Sequence, residues 1–223
     1  DTLILVADTT KGKQSFATFS PQGDKVAFVR NNNLFITDLN IGIETQITTD
    51  GKQNNIINGM ADWVYEEELE LSQAFVWSPD GTKIGYHRFD ESQVKEFSMT
   101  LWGDLYPEQY KYKYPKPGEA NSKIQLFYYD LNTQKSYDLG FDTIEDCYYP
   151  RMMWSAIPNQ LVVVKLNRDQ TRMELYAMDL PNTDMKRIYI EKLPVWIDLP
   201  EEILFLKDQK RFLFTSEKDG YRH

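Results

Sequence analysis

Cysteine and histidine are nearly missing from this chain. Its 223 residues contain one cysteine, Cys147, and two histidines, His87 and His223. A single cysteine excludes an intramolecular disulfide and a cysteine-based zinc site, and it reads as a small core hydrophobe. So few of these residues leave little material for a catalytic triad or a transition-metal centre, so no metal and no cofactor is expected. Positive charge is also scarce: 25 Lys and Arg stand against 34 Asp and Glu, a net charge of −9. Phosphate binding needs clustered Lys and Arg, which argues against nucleic acid as a partner. No apolar run approaches the roughly 18 residues of a membrane helix. The N-terminal "DTLILVADTT" has neither a basic stretch nor a small-residue cleavage site, so it does not read as a signal peptide.

What is present is an apolar, aromatic chain with internal repetition. Hydrophobic residues make up 41% and aromatics 14%, enough for a substantial core. "FSPQGDKVAFV" at 19–29 matches "WSPDGTKIGYH" at 77–87. Each has an aromatic, then Ser-Pro-x-Gly-x-Lys, then an apolar run. Pro sets φ at the first corner of a turn and Gly takes the corner that needs positive φ; the apolar run reads as a buried strand. Degenerate copies are "WSAIPNQLVVVK" at 154–165 and "FLKDQKRFLFTS" at 205–216. A second signal follows the first three copies, in which an apolar strand ends in Asp-Leu at Asp38, Asp130 and Asp179. These aspartates read as turn punctuation, because Asp can hydrogen-bond the backbone ahead of it.

A repeat of roughly 50 residues built of antiparallel strands predicts a β-propeller with one four-stranded blade per repeat. The expected fold is all-β: a partial propeller of about three to four blades, with a short helix near 62–71. The expected blades lie near 16–48, 74–140, 148–190 and, incomplete, 201–223. A propeller of seven or eight blades needs about twice this length, so the chain is expected to be part of a larger protein. Two segments interrupt the repeat. Residues 89–123, rich in Tyr and Pro, predict an extended arm with little helix, either a contact surface or a loop folded over its own domain. Residues 50–73 contain the second interruption, "DWVYEEELEL" at 62–71.

Asp62 is placed to cap a helix starting at Trp63, where acids would suit the positive end. A run of glutamates is ordinarily a solvated face. The sharper reading is a carboxylate pair for an ammonium group. Two carboxylates about 5 Å apart repel by roughly 3 kcal/mol at an effective dielectric near 20. An ammonium between them removes the repulsion and adds charge-assisted hydrogen bonds. Hard-metal binding by the same acids lacks the spaced Asp-rich loop of a calcium site.

"DWVYEEE" in a propeller, with "WSPDGTKIGYHRFDESQVKEFSM" at 77–99, "YPKPGEANSK" at 114–123 and "DGYRH" at 219–223, resembles the N-terminal domain of the dipeptidyl peptidase IV family. The resemblance runs from about Phe16 to His223. It implies an eight-bladed propeller joined to an α/β-hydrolase domain, in a serine exopeptidase that removes X-Pro or X-Ala dipeptides from peptide N-termini. It implies that Glu67 and Glu68 hold the substrate's α-ammonium and that Trp196 borders the substrate. It also implies an arginine one blade before the glutamates, for which no matching segment is found. The arm 89–123, with Tyr106, Tyr110, Tyr112 and Tyr114, resembles the one through which members form homodimers, and an extracytoplasmic, periplasmic location follows from resemblance alone. There is no Gly-x-Ser-x-Gly nucleophile elbow and no α/β-hydrolase catalytic domain in these residues, so the chain alone is not expected to be catalytic. The competing classes are a non-catalytic propeller that binds other proteins and a repeat scaffold with a solvated acidic loop.

Overall fold

The computed structural model describes residues 5–141 and 145–223. It is an all-β chain of the partial-propeller class, with one short α-helix among the described residues. The chain divides into two compact units, 1–74 with 87–125 and 75–86 with 126–223.

In the first unit β1 (Gln14–Phe19), β2 (Lys25–Arg30), β3 (Asn33–Asp38) and β4 (Ile43–Gln46) form an antiparallel meander in sequence order. The Ser-Pro-x-Gly turn joins β1 to β2. Ser20 N–H donates to the Lys25 carbonyl (2.8 Å), Gly23 N–H donates to the Ser20 carbonyl (2.9 Å), and Gly23 takes φ 73°. The inner strands β2 and β3 are almost fully buried, and the edge strand β4 is mostly exposed. Arg30 is buried on β2 because Glu44 takes its guanidinium in two bonds of 2.9 and 2.6 Å and the Phe35 ring lies 4.2 Å from it. A buried charge is tolerated only when paired in this way. Three-residue β5 (Ile56–Asn58) pairs with the 88–90 end of β7 (Lys83–Asp90).

In the second unit β6 (Phe75–Trp77) pairs with the first half of β7 across the second Ser-Pro-x-Gly turn, where Gly81 takes φ 65°. The 126–130 part of β10 (Lys123–Asp130) pairs with β11 (Lys135–Asp138). Next comes a meander of β12 (Cys147–Trp154), β13 (Gln160–Asn167), β14 (Arg172–Asp179) and β15 (Lys186–Lys192). The run Leu161–Val164 on β13 is buried on both faces, as an inner strand requires. The degenerate turn at 154–160 keeps the outer bond without glycine, Ser155 N–H donating to the Gln160 carbonyl (3.0 Å). Its left-handed residue is Asn159 (φ 59°), one position later than Gly23, and its inner bond runs from Gln160 N–H to the Ile157 carbonyl (3.2 Å). Asn accepts that conformation at lower cost than other non-glycine residues. A two-stranded ribbon, β16 (Leu204–Phe205) with β17 (Phe212–Leu213), closes the list of strands.

The Asp-Leu signal has a common function in both units. Leu39, Leu131 and Leu180 each donate their N–H to a carbonyl of the preceding turn, at Asp24, Thr82 and Asn159 respectively. Asp38 and Asp130 each accept from the backbone two residues ahead, at 2.9 and 2.8 Å. Asp179 differs, accepting instead from the Gln160 side chain. His87 is buried, its ring stacked on Phe89.

Candidate functional site

The acidic helix sits on a closed excursion of the first unit. Gly59 N–H donates to His87 O, Ala74 N–H to Gly59 O, and Ala61 N–H to Ser72 O, all at 3.0 Å, and Met60 bridges Gln73. The segment therefore leaves and rejoins the fold at one place. Between these ends Asp62 is extended (φ −79°, ψ 177°) and its Oδ1 accepts from Tyr65 N–H at 3.0 Å, which starts α1 (Trp63–Glu68). Val64, Tyr65 and Leu69 bury one side of the turn, with the Tyr65 ring edge-on to Phe89 at 5.0 Å. Leu71 N–H returns to the Tyr65 carbonyl, and Glu70 takes a left-handed φ of 53°, which ends the helix.

With that side fixed, Glu66, Glu67 and Glu68 are all exposed. Among the described residues no hydrogen bond or ion pair engages the Glu67 or Glu68 carboxylate. The expectation that the acids suit the positive helix end holds for Glu66 alone, the one acid of the first turn. Glu67 and Glu68 occupy the last turn, where no basic residue accompanies them and the helix carbonyls give the unfavourable sign. Local helix stability therefore does not explain why they are there.

The base of the excursion is a buried polar cluster that sequence reasoning missed apart from the Asp62 cap. Ser122, at the end of the arm, donates its hydroxyl to Asp62 Oδ2 at 2.5 Å. Burial pushes the Asp62 carboxyl above the usual range, opposed by the hydrogen bonds from Ser122 and the helix backbone. Glu91, at the start of the arm, is pushed up to about 7, first by burial and then by the Asp62 charge, with Lys113 opposing and Asp90 adding. Lys113 Nζ donates to the Val94 carbonyl at 2.8 Å. These partners lie far apart in sequence, so no local pattern could reveal them.

Glu91 makes stability depend on pH. Its folded-state value near 7 lies above its ordinary 4.5, so the folded protein holds a proton that the unfolded chain releases. The stability this provides is complete below about 4.5 and lost as pH rises towards about 7. Glu91→Gln keeps the neutral shape at every pH. It is expected to raise Tm by about 3 °C at pH 8 and to leave it unchanged near pH 4.5. An equal shift at both pH values in a thermal scan would refute the assignment.

The arm is a hairpin of β8 (Glu96–Leu101) and β9 (Glu108–Lys113). Its tip exposes Trp102, Leu105 and Tyr106, the last two at 91% and 79%. Tyr110 is exposed and stacks on Tyr112 at 5.6 Å. Tyr114 is at the root, its ring 4.2 Å from that of Trp63. Trp196 lies in the second unit and is 67% exposed, next to buried Ile197, whose N–H donates to the Gln170 carbonyl. The "DGYRH" end is tied down locally. Arg222 faces Asp198 and Glu201 at 3.8 and 3.4 Å, and buried Glu191 accepts from Ser216 and Tyr189. Among the described residues no group of three or more His, Cys, Asp or Glu is arranged to hold a metal, and no helix is long and apolar enough to cross a membrane.

Four-stranded meanders with repeated turns, interrupted by an acidic helix and a long hairpin, define a propeller-type β protein. More specifically, the chain belongs to the family of the dipeptidyl peptidase IV (DPP IV) N-terminal region, whose model matches residues 3–223. The crystal structure of Porphyromonas gingivalis dipeptidyl peptidase 4 superposes with a TM-score of 0.89 at 38% identity, over 95% of this chain and 30% of that one. A "probable dipeptidyl-aminopeptidase B" of Trichophyton verrucosum is 34% identical over 98% of this chain, and one of Talaromyces marneffei is 27% identical. The chain spans about 27% of the length of each of these fungal relatives.

Proposed function

We propose that this chain is the substrate-recognition part of a dipeptidyl peptidase IV-like serine exopeptidase, in which Glu67 and Glu68 bind the free α-ammonium of a peptide. The observation that carries this reading is the presentation of two exposed, uncompensated carboxylates on a helix whose opposite side is fixed in the core, in a chain of this family. Anchoring the N-terminus measures two residues to the scissile bond. Binding energy from a non-reacting group then positions the reacting one. X-Pro and X-Ala dipeptides are the proposed products, and Trp196 the proposed aromatic border of the site. The nucleophile and its partners would come from an α/β-hydrolase domain of the full-length protein.

The test compares kcat/KM of the full-length protein on a chromogenic Ala-Pro substrate with a free N-terminus and on its N-acetylated form. Strong preference for the free amine supports the reading. Equal turnover of both overturns the role of the glutamates, and turnover of neither points to a non-catalytic binding protein.

We further propose that the arm tip is a homodimer contact, because it exposes Trp102, Leu105 and Tyr106 together. Leu105→Asp with Tyr106→Asp is expected to halve the mass measured by sedimentation of the full-length protein. An unchanged mass would remove the arm from the interface.

A further inference from the structure

A helix of six residues does not hold itself in place. Isolated helices shorter than about 12 residues are marginal in water, so the direction in which α1 points must be imposed from outside. Contacts within the first unit do this, among them Tyr65 on Phe89, Trp63 on Tyr114, and the Asp62 carboxylate. The ring contacts are apolar and weakly directional, and they permit small rotations of the helix. The carboxylate contact is directional, and its two oxygens have different partners. Oδ1 takes the Tyr65 N–H inside the helix, whereas Oδ2 takes the hydroxyl of Ser122 at the far end of the arm. One buried side chain thus joins the helix start to a residue 60 positions later in the chain.

We infer that Asp62 and Ser122 are positioning residues of the ammonium-binding pair, with the Ser122–Asp62 bond fixing the direction in which α1 presents Glu67 and Glu68. This rests on the reading in which those two glutamates bind the substrate amine. Misplacement of a binding group by about 1 Å is enough to reduce productive binding by an order of magnitude or more. A cap that serves stability alone would lower Tm and leave substrate affinity alone. A slightly loosened strap leaves the ammonium anchored but weakens that contact equally in the ground state and the transition state, so its loss is read mainly in KM.

The experiment measures KM and kcat of the full-length protein for the free-amine Ala-Pro substrate and its N-acetylated form in Ser122→Ala, Asp62→Ala and Asp62→Asn, with Glu67→Gln/Glu68→Gln as reference. Ser122→Ala is expected to raise KM about fivefold with kcat within about twofold. Asp62→Ala, which loses cap and strap together, is expected to raise KM about tenfold or more. In Asp62→Asn the amide oxygen still accepts from Tyr65 N–H and the amide nitrogen can donate to the Ser122 oxygen, so KM returns to within about threefold of wild type. If Asp62→Ala fails to fold, Ser122→Ala and Asp62→Asn decide the matter. A KM unchanged in Ser122→Ala overturns the strap, as does Asp62→Asn as impaired as Asp62→Ala. If the reference variant still loses its preference for the free amine, only the strap has failed. If the reference variant keeps that preference, the ammonium reading fails and the strap fails with it.

Discussion

Replacing Glu67 and Glu68 together by glutamine is expected to lower kcat/KM on a free-amine dipeptide substrate by about 100-fold or more, with no comparable loss on the N-acetylated form. Hydrogen bonds to charged groups each contribute about 1.5–3 kcal/mol, so two of them correspond to at least two orders of magnitude. Glutamine keeps the length, shape and helix propensity of glutamate. Both residues are exposed and without protein partners among the described residues, so the fold loses nothing. Removing two negative charges from the last turn of the helix is even mildly stabilising. The expected signature is thus a protein with unaltered or slightly raised Tm and a collapsed selectivity for the amine. A double variant that still discriminates between the free and acetylated substrates would assign the amine to other residues and leave the acidic run as a solvated face.

The second large effect is structural. Gly51→Ala is expected to destabilise the protein by about 3 kcal/mol or more, because this position has no room for a side chain. An added Cβ would lie 2.2 Å from the Asn32 carbonyl oxygen and 2.5 Å from its carbon. Both are backbone atoms and cannot swing aside. Nor is the surrounding network free to yield. Asn33 Oδ1 accepts from Gly51 N–H at 2.9 Å and from the Thr48 hydroxyl at 3.1 Å, and the Asn32 carbonyl accepts from Asn58 N–H at 3.0 Å. Gly103→Ala, at the arm tip with nothing within 4 Å of the new carbon, is the matched control. A thermal scan is expected to show Tm lowered by about 5 °C or more in the first variant and unmoved in the second. Equal Tm values for the two would show that the close approach at Gly51 can relax.

The fold was legible in the sequence wherever backbone chemistry is local. Ser-Pro-x-Gly at 20–23 and 78–81 names its own turn, because only certain residues accept the left-handed corner. The third copy was harder to read because its left-handed residue is Asn159, one position later in the turn than Gly23, and a residue that tolerates positive φ is a weaker signal than glycine. β5 has three residues and no alternation, since all three are buried, so nothing in the pattern distinguished it from the segment around it. The crowding of glutamates was plain, and so was the Asp62 cap. The turn of the helix on which each acid falls depends on Val64, Tyr65 and Leu69 finding the core, which is a tertiary event. Ser122 and Glu91 could not be found in advance, because a hydroxyl or carboxylate buried against a partner dozens of residues away leaves no trace in its own neighbourhood.

The excursion from Gly59 to Ala74 begins and ends on the same few backbone bonds. Its interior can therefore change without shifting the register of any strand, since the ladders on either side end where it begins. Recharging its exposed positions 66–68 would change what the stretch presents while Phe89, Tyr114 and Ser122 continue to hold it. A laboratory graft between relatives that carries this stretch together with its anchors Phe89, Tyr114 and Ser122 is the corresponding route to a new specificity.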